Sequence, residues 1–254
     1  MSLRPRLKMA ADMVRCGSSL ADIGTDHGYL PAWLVKSGKC KSAVAADLRK
    51  SPLENAAETI RIYGVEDKVS LRLSDGLDCI LSEEADDIVF AGMGGTLIAQ
   101  LMERTEWLKD KSKRVIVQPM THSENVREYL IKNGFEILFE NACRDDSRDY
   151  ICFCAEYRGC VPQRDGLYYY IGTHPIEGNE PSLNYARKQI SRVFKRAEAL
   201  ENAGIKSDEL LYLKNIIKRF EEVKPWQESL IFIIFLTAFA RSLCRRIGTT
   251  EVCL

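Results

Sequence analysis

Residues 21–31 read Ala21-Asp22-Ile23-Gly24-Thr25-Asp26-His27-Gly28-Tyr29-Leu30-Pro31, and their reading decides the fold. The run Ser19–Ile23 predicts a short buried strand that ends at Gly24, and His27–Lys36 predicts the helix that follows. An acid and two glycines at such a junction let the chain turn tightly against a ligand. The junction is not a nucleotide P-loop, because no Gly-Lys-Ser/Thr follows it. Nor is it GxGxxG, because Gly24 and Gly28 stand four apart.

The same strand-then-helix rhythm extends on both sides. A helix over Arg4–Val14 precedes it, with Leu7, Ala10, Ala11 and Val14 at helical spacing. A second strand, Ser42–Ala46, ends in Asp47 and leads to a helix over Pro52–Tyr63. A third, Val69–Leu73, reaches Ser74-Asp75-Gly76; a fourth, Asp87–Ala91, reaches Gly92-Met93-Gly94-Gly95; a fifth, Arg114–Gln118, stops at Pro119. This alternation predicts an α/β domain with a parallel sheet. Phe135–Asn141 and Tyr150–Tyr157 also read as strands, joined by the charged loop Arg144–Asp149. So short a connection makes them antiparallel, because a parallel pair needs a long crossover. The expected sheet therefore has seven strands and closes with an antiparallel hairpin. After a domain at 1–160, residues 161–182 read as a linker. Helical patterns over Leu183–Ala203 and Ser207–Val223, parted at Gly204, read as a coiled-coil-like helical hairpin at 183–223, followed by a tail at 224–254.

Four strand ends place ligand-suitable chemistry at one edge of this sheet. A carboxylate at Asp22 suits a cationic ammonium better than a pyrophosphate, which needs backbone amides. That points to S-adenosyl-L-methionine. Asp47, 25 residues beyond Asp22, is placed to accept both ribose hydroxyls; its other reading is a helix N-cap or a surface acid. Asp75 could bond the adenine amino group, or could form a plain Asp-Gly turn. Gly92, Met93 and Gly94 offer flexible backbone and one apolar side chain. The candidate cofactor set is Asp22, Gly24, Thr25, His27, Gly28, Asp47, Leu48, Asp75, Gly76, Gly92, Met93 and Gly94.

Taken together, Ala21–Pro31, the Asp47 strand end, Asp75-Gly76-Leu77, Gly92-Met93-Gly94-Gly95 and Val117-Gln118-Pro119 resemble the bacterial tRNA (adenine-N1)-methyltransferases of the TrmK type. The resemblance is close over residues 3–157 and looser over the hairpin to 223. It implies a class I, Rossmann-like methyltransferase fold, S-adenosyl-L-methionine as cofactor and tRNA as partner. It further implies methyl transfer to N1 of the adenine at position 22 in the D-arm, in the cytoplasm. Met120 departs from the Asn usual after Gln-Pro in that family, and residues after Pro225 match nothing in it.

Adenine N1 carries an in-plane lone pair, so attack on a sulfonium methyl needs no strong base, and the cationic product favours a nearby carboxylate. Asp26 is the candidate for that orienting role, with a helix N-cap as its other reading. Tyr29 is the candidate to stack on the target adenine, with core packing as the alternative. His27 is also readable as a first-turn polar residue. Phosphate contacts are expected from Arg187, Lys188, Arg192, Lys195 and Arg196, joined by Lys214, Lys218 and Arg219. Arg4, Arg6 and Lys8 form a second basic patch, and any of these charges also reads as a solvated face.

Composition narrows the remaining classes. Lys plus Arg and Asp plus Glu both total 36, so overall charge favours no polyanionic partner, although a local basic face remains compatible. The nine cysteines show no CxxC pair or Cys/His spacing, which predicts no metal and a reducing cytoplasm. Cys152 and Cys154, two apart on a strand, are expected to pack on one face. The most apolar run, Leu230–Ala240, falls well short of the roughly 20 residues that span a membrane. A monomer is favoured. A NAD-type oxidoreductase conflicts with the absent GxGxxG and the closing hairpin. A methyltransferase of another substrate and a non-catalytic tRNA-binding protein stay open.

Overall fold

A computed structural model describes residues 2–173 and 179–222; the tail at 224–254, with its apolar run, lies outside them. The strands are β1 (Ser18–Ile23), β2 (Cys40–Asp47), β3 (Val69–Leu73), β4 (Asp87–Gly94), β5 (Arg114–Thr121), β6 (Phe135–Asp145) and β7 (Arg148–Tyr157). They form one seven-stranded sheet in the order β3-β2-β1-β4-β5-β7-β6. β1 to β5 run parallel, while β7 lies antiparallel to both β5 and β6. The closing hairpin expected from the short connection is present.

Alternate strand residues face two separate layers of helix, as the two-residue period of a pleated strand requires. Ala21, Ile23, Ile88, Phe90, Val115 and Val117 pack with α4 (Gly95–Glu103) and α5 (Ser123–Lys132). Leu20, Ala43, Ala45, Val89 and Ile116 pack with α1 (Pro5–Met13), α2 (Tyr29–Lys36) and α3 (Lys50–Tyr63). Cys152 and Cys154 are fully buried in this second layer, as small apolar packing predicted, and burial pushes both thiols up, Cys154 to about 11.

Local structure moves several expected boundaries. The hairpin loop is only Asp146-Ser147: Arg144 and Asp149 sit in the strands and bond across the ladder at 2.9 and 3.1 Å. Asp146 takes a left-handed φ of 53°, the conformation two-residue hairpin turns demand. β4 and β5 run past Ala91 and Gln118 as far as a Gly94–Thr121 pair, with the register shifting around Gly92, φ 82°. α2 starts at Tyr29 rather than His27, behind a left-handed Gly28.

The stretch read as a linker at 161–182 holds a six-residue helix, α6 (Gly166–Ile171), capped by Asp165, whose Oδ1 accepts the Tyr168 N–H at 2.9 Å. The next helix, α7 (Glu180–Asn202), begins inside that stretch too, with Asn179 accepting the Ser182 N–H at its start. The chain forms two compact units that divide between Arg192 and Val193, well beyond the expected boundary at 160. In the second unit, the end of α7 and α8 (Asp208–Glu222) bury Val193, Leu200, Leu213 and Phe220. Phe194 and Phe220 meet edge to face, and Arg196 binds Glu209 at 2.7 and 2.9 Å.

Candidate functional site

The parallel strands deliver their carboxyl ends to one edge, where the β1–α2 loop leaves the sheet. Its first two amides are already used: the Gly24 and Thr25 N–H groups both donate to the Ala46 carbonyl, at 2.9 and 3.0 Å. The start of the loop is therefore not an anion cradle, because its two leading donors are turned to the sheet. What it presents is acid. Asp22, 4% exposed, accepts the Thr25 hydroxyl at 2.6 Å. Burial raises its pKa to about 6, the Asp47 charge adds to the rise, and the Thr25 bond opposes it. Asp47 is buried at the end of β2, where its Oδ1 accepts the Arg49 N–H at 2.9 Å.

A cavity of about 520 Å³ opens beside Asp22; Asp47, on the neighbouring strand end, does not line it. Asp22, Gly24, Thr25, Asp26, His27, Tyr29 and Gly92 line it from the sheet side. Asp26 does not cap α2, since Gly28 holds that position; its backbone is left-handed, φ 52°, and its exposed carboxylate lies 3.6 Å from His27 Nε2. Tyr29 is 43% exposed, which removes the core-packing alternative. Its ring stacks on His27 with centroids 5.4 Å apart and planes 19° off parallel.

Other expected cofactor residues share the sheet edge but do not line this cavity. A Cβ on Gly28 would meet Ala56 Cβ at 2.9 Å, so that glycine lets α2 approach α3. Gly76 stands likewise against Leu101, at 2.7 Å. Asp75 is held by Arg104, with 2.8 Å between Oδ1 and Nη2. Leu48 is exposed on the loop after Asp47. Met93 lies over Gly24, where an added Cβ would meet its Sδ at 3.2 Å, and Gly94 caps α4.

The N-terminal basic residues have a different role from the one expected. Arg4 binds Asp145 at 3.0 Å and also Asp146, while Arg6 reaches Asp145 at 3.7 Å and Gln118 Oε1 at 3.4 Å. Both line the cavity together with Leu7, so this segment forms its far wall rather than a free basic patch. Lys8 pairs with Asp12 and lies over the Trp33 ring. Sequence reasoning missed this wall, and Tyr63 beside it, because ion pairs 141 residues apart leave no local spacing to read.

The hairpin basics divide into two groups. Arg192 donates to Gln189 and pairs with Glu124 at 3.2 Å, Arg196 is bound to Glu209, and Arg187 Nη1 donates to Asn184 at 3.0 Å. Lys188 and Lys195 are exposed and form no ion pair among the described residues. Among those residues no group of His, Cys, Asp or Glu is arranged to hold a metal ion, and no helix is long and apolar enough to cross a membrane.

The methyltransferase-domain family model matches residues 3–153. The tRNA (adenine(22)-N(1))-methyltransferase of Bacillus subtilis (strain 168) is 29% identical over 229 residues, covering 88% of this chain and 96% of that protein. The crystal structure of the B. subtilis tRNA methyltransferase TrmK superposes with a TM-score of 0.74 at 29% identity, over 87% of this chain and 96% of that one. A Streptococcus pneumoniae protein, described as a candidate tRNA (m1A22) methyltransferase and solved in complex with S-adenosyl-L-methionine, matches with a TM-score of 0.72 at 26% identity, over 85% and 99%.

Proposed function

Because the chain belongs to the methyltransferase-domain family, we propose that it transfers a methyl group from S-adenosyl-L-methionine to N1 of the adenine at position 22 of tRNA. One observation carries the cofactor assignment: two buried acids, Asp22 and Asp47, end adjacent strands beside a loop whose first two amides are already bonded to the sheet. Such a site favours a cationic ligand with hydroxyls and disfavours a phosphate. When bound, S-adenosyl-L-methionine supplies an electrophilic methyl group on a sulfonium centre. Asp22, oriented by Thr25, would hold the ammonium, and Asp47, whose Oδ1 accepts the Arg49 N–H, would take the ribose hydroxyls. Tyr29 stacks on the incoming adenine at the mouth, and the exposed Asp26 carboxylate favours the positive charge that develops on the ring.

Asp47→Ala should weaken cofactor binding by about 1–3 kcal/mol, the loss expected for a charge-assisted hydrogen bond. Titration calorimetry measures it, and an unchanged affinity removes Asp47 from the site. The defining experiment incubates the protein with labelled S-adenosyl-L-methionine and unmodified tRNA transcripts, then identifies the product nucleoside by mass spectrometry. Label in any other nucleoside, or none in RNA, overturns the proposed reaction.

We read the protein as a cytoplasmic monomer whose α7 contacts the RNA backbone through Lys188 and Lys195. Reversing both to Glu should weaken tRNA binding and flatten its salt dependence, by a slope of roughly 0.7–0.9 for each phosphate no longer neutralised. Arg192 and Arg196 are unsuited to this test, because reversing them sets carboxylate against carboxylate at Glu124 and Glu209. Truncation after Gly159 is equally unsuited, since it removes α6 and Tyr185 from the first unit. If the double reversal methylates tRNA at the wild-type rate across a salt series, α7 is not the RNA arm.

A further inference from the structure

A second cavity, of about 340 Å³, lies behind the His27–Tyr29 stack. Its wall is built from His27, Tyr29 and Tyr63, all of which also line the larger cavity, so these rings form a partition between the two. The rest of the lining comes from α3: Asn55, Glu58, Thr59 and Ile62. Ile62 is 70% exposed, although Ile60 two residues earlier is buried in the core. Ile62 thus adds an apolar side chain to the rim of an aromatic-walled cavity, a combination that suits the flat face of an unstacked base. Asn55 supplies a donor and an acceptor at the same rim. Glu58 is bonded to Arg61 at 2.5 Å, which offsets the repulsion it would otherwise exert on a phosphate backbone.

We propose that this second cavity binds one unstacked nucleobase of the substrate RNA, the immediate neighbour of the adenine that receives the methyl group. The inference rests on the tRNA reading given above. Taking the target base out of its stack exposes a face of the neighbouring base as well, and that neighbour is tethered within one nucleotide of the cofactor cavity. A ring platform one side chain away receives it, as unstacked bases are commonly received by Tyr and His rings. The polar edge of that base meets Asn55. The cavity thereby becomes a specificity element, reading the sequence beside the target and not only the target itself.

The test uses the full-length protein and tRNA transcripts carrying an abasic nucleotide at either the 5′ or the 3′ neighbour of the methylated adenine. Wild-type protein should show an apparent KM for RNA raised about tenfold by one of the two substitutions, the scale of losing a single stacked base. The variant Asn55→Ala/Ile62→Ala, altered only at exposed helix positions, should show a similar rise on intact tRNA. It should also show no further rise on that abasic transcript, with kcat and calorimetric S-adenosyl-L-methionine affinity unchanged. If neither abasic transcript alters the wild-type KM, or if the abasic penalty is as large in the variant, the inference is overturned. If wild-type protein does not methylate the intact transcript, the tRNA reading falls first and this inference with it.

Discussion

Replacing Arg127 by Ala should cost the fold about 3–5 kcal/mol, because it strands a buried carboxylate. The Arg127 side chain on α5 is completely buried, the Glu140 side chain on β6 opposite is only 1% exposed, and the two meet at 2.8 Å between Nη2 and Oε2. The guanidinium also lies 5.0 Å from the centre of the Phe153 ring, and its Nη1 donates to the Tyr169 carbonyl at 2.9 Å. One side chain thus ties α5, the closing hairpin and α6 together. Removing it leaves the Glu140 charge without its counterion and frees the end of α6. Urea unfolding measures the loss, and a cost under about 1 kcal/mol would show that this pair is not the clamp described. Replacing both partners, as Arg127→Met with Glu140→Leu, should be more stable than the single variant, because no unpaired charge is then buried.

Asp22→Asn should do the opposite to stability while weakening cofactor binding. The Asp22 pKa lies near 6, above the ordinary carboxylate value, chiefly through burial. A pKa raised on folding means the folded state binds this proton more tightly than the unfolded chain does. The ionised carboxylate therefore opposes folding increasingly as pH rises from about 4, and fully above about 6. At pH 7–8 the neutral variant escapes that penalty, which is worth about 1–3 kcal/mol. Near pH 4 the wild-type group is itself protonated, and the two proteins should converge. Thermal melts of the ligand-free proteins between pH 4.5 and 8 test this, and a variant less stable throughout contradicts it. S-adenosyl-L-methionine should bind the variant roughly ten- to a hundred-fold more weakly, as expected for losing a hydrogen bond to a charged group.

Much of the site could be read from residue order because strand ends converge by topology. Once β1 and β2 are parallel neighbours, Asp22, Gly24 and Asp47 must share an edge, whatever the rest of the chain does. Which of the glycines line the cavity was not readable in the same way. Gly28 stands in the same motif as Gly24 and Gly76 at another strand end, yet they answer to Ala56 and Leu101, whose approach is fixed only when helices pack. Arg127 offered no signal, since an arginine on an amphipathic helix reads as solvent-facing until a buried partner is known. α6 was hidden for a related reason: six residues are too few to display a helical period, and its anchors are the Asp165 cap and a side chain 42 residues away.

The two amides that the β1–α2 loop gives to Ala46 also decide which molecules compete for the site. Adenosine is a common handle in metabolism, and most of its carriers bring phosphates. Nucleoside di- and triphosphates could offer the same ribose to Asp47, but their charged tails would meet the Asp22 and Asp26 carboxylates beside a loop whose first two amides are already bonded to the sheet. Discrimination would thus rest on the two bonded amides together with the acids beside them. An inhibitor for this cleft should keep the adenosine and carry a protonated amine in place of the phosphates.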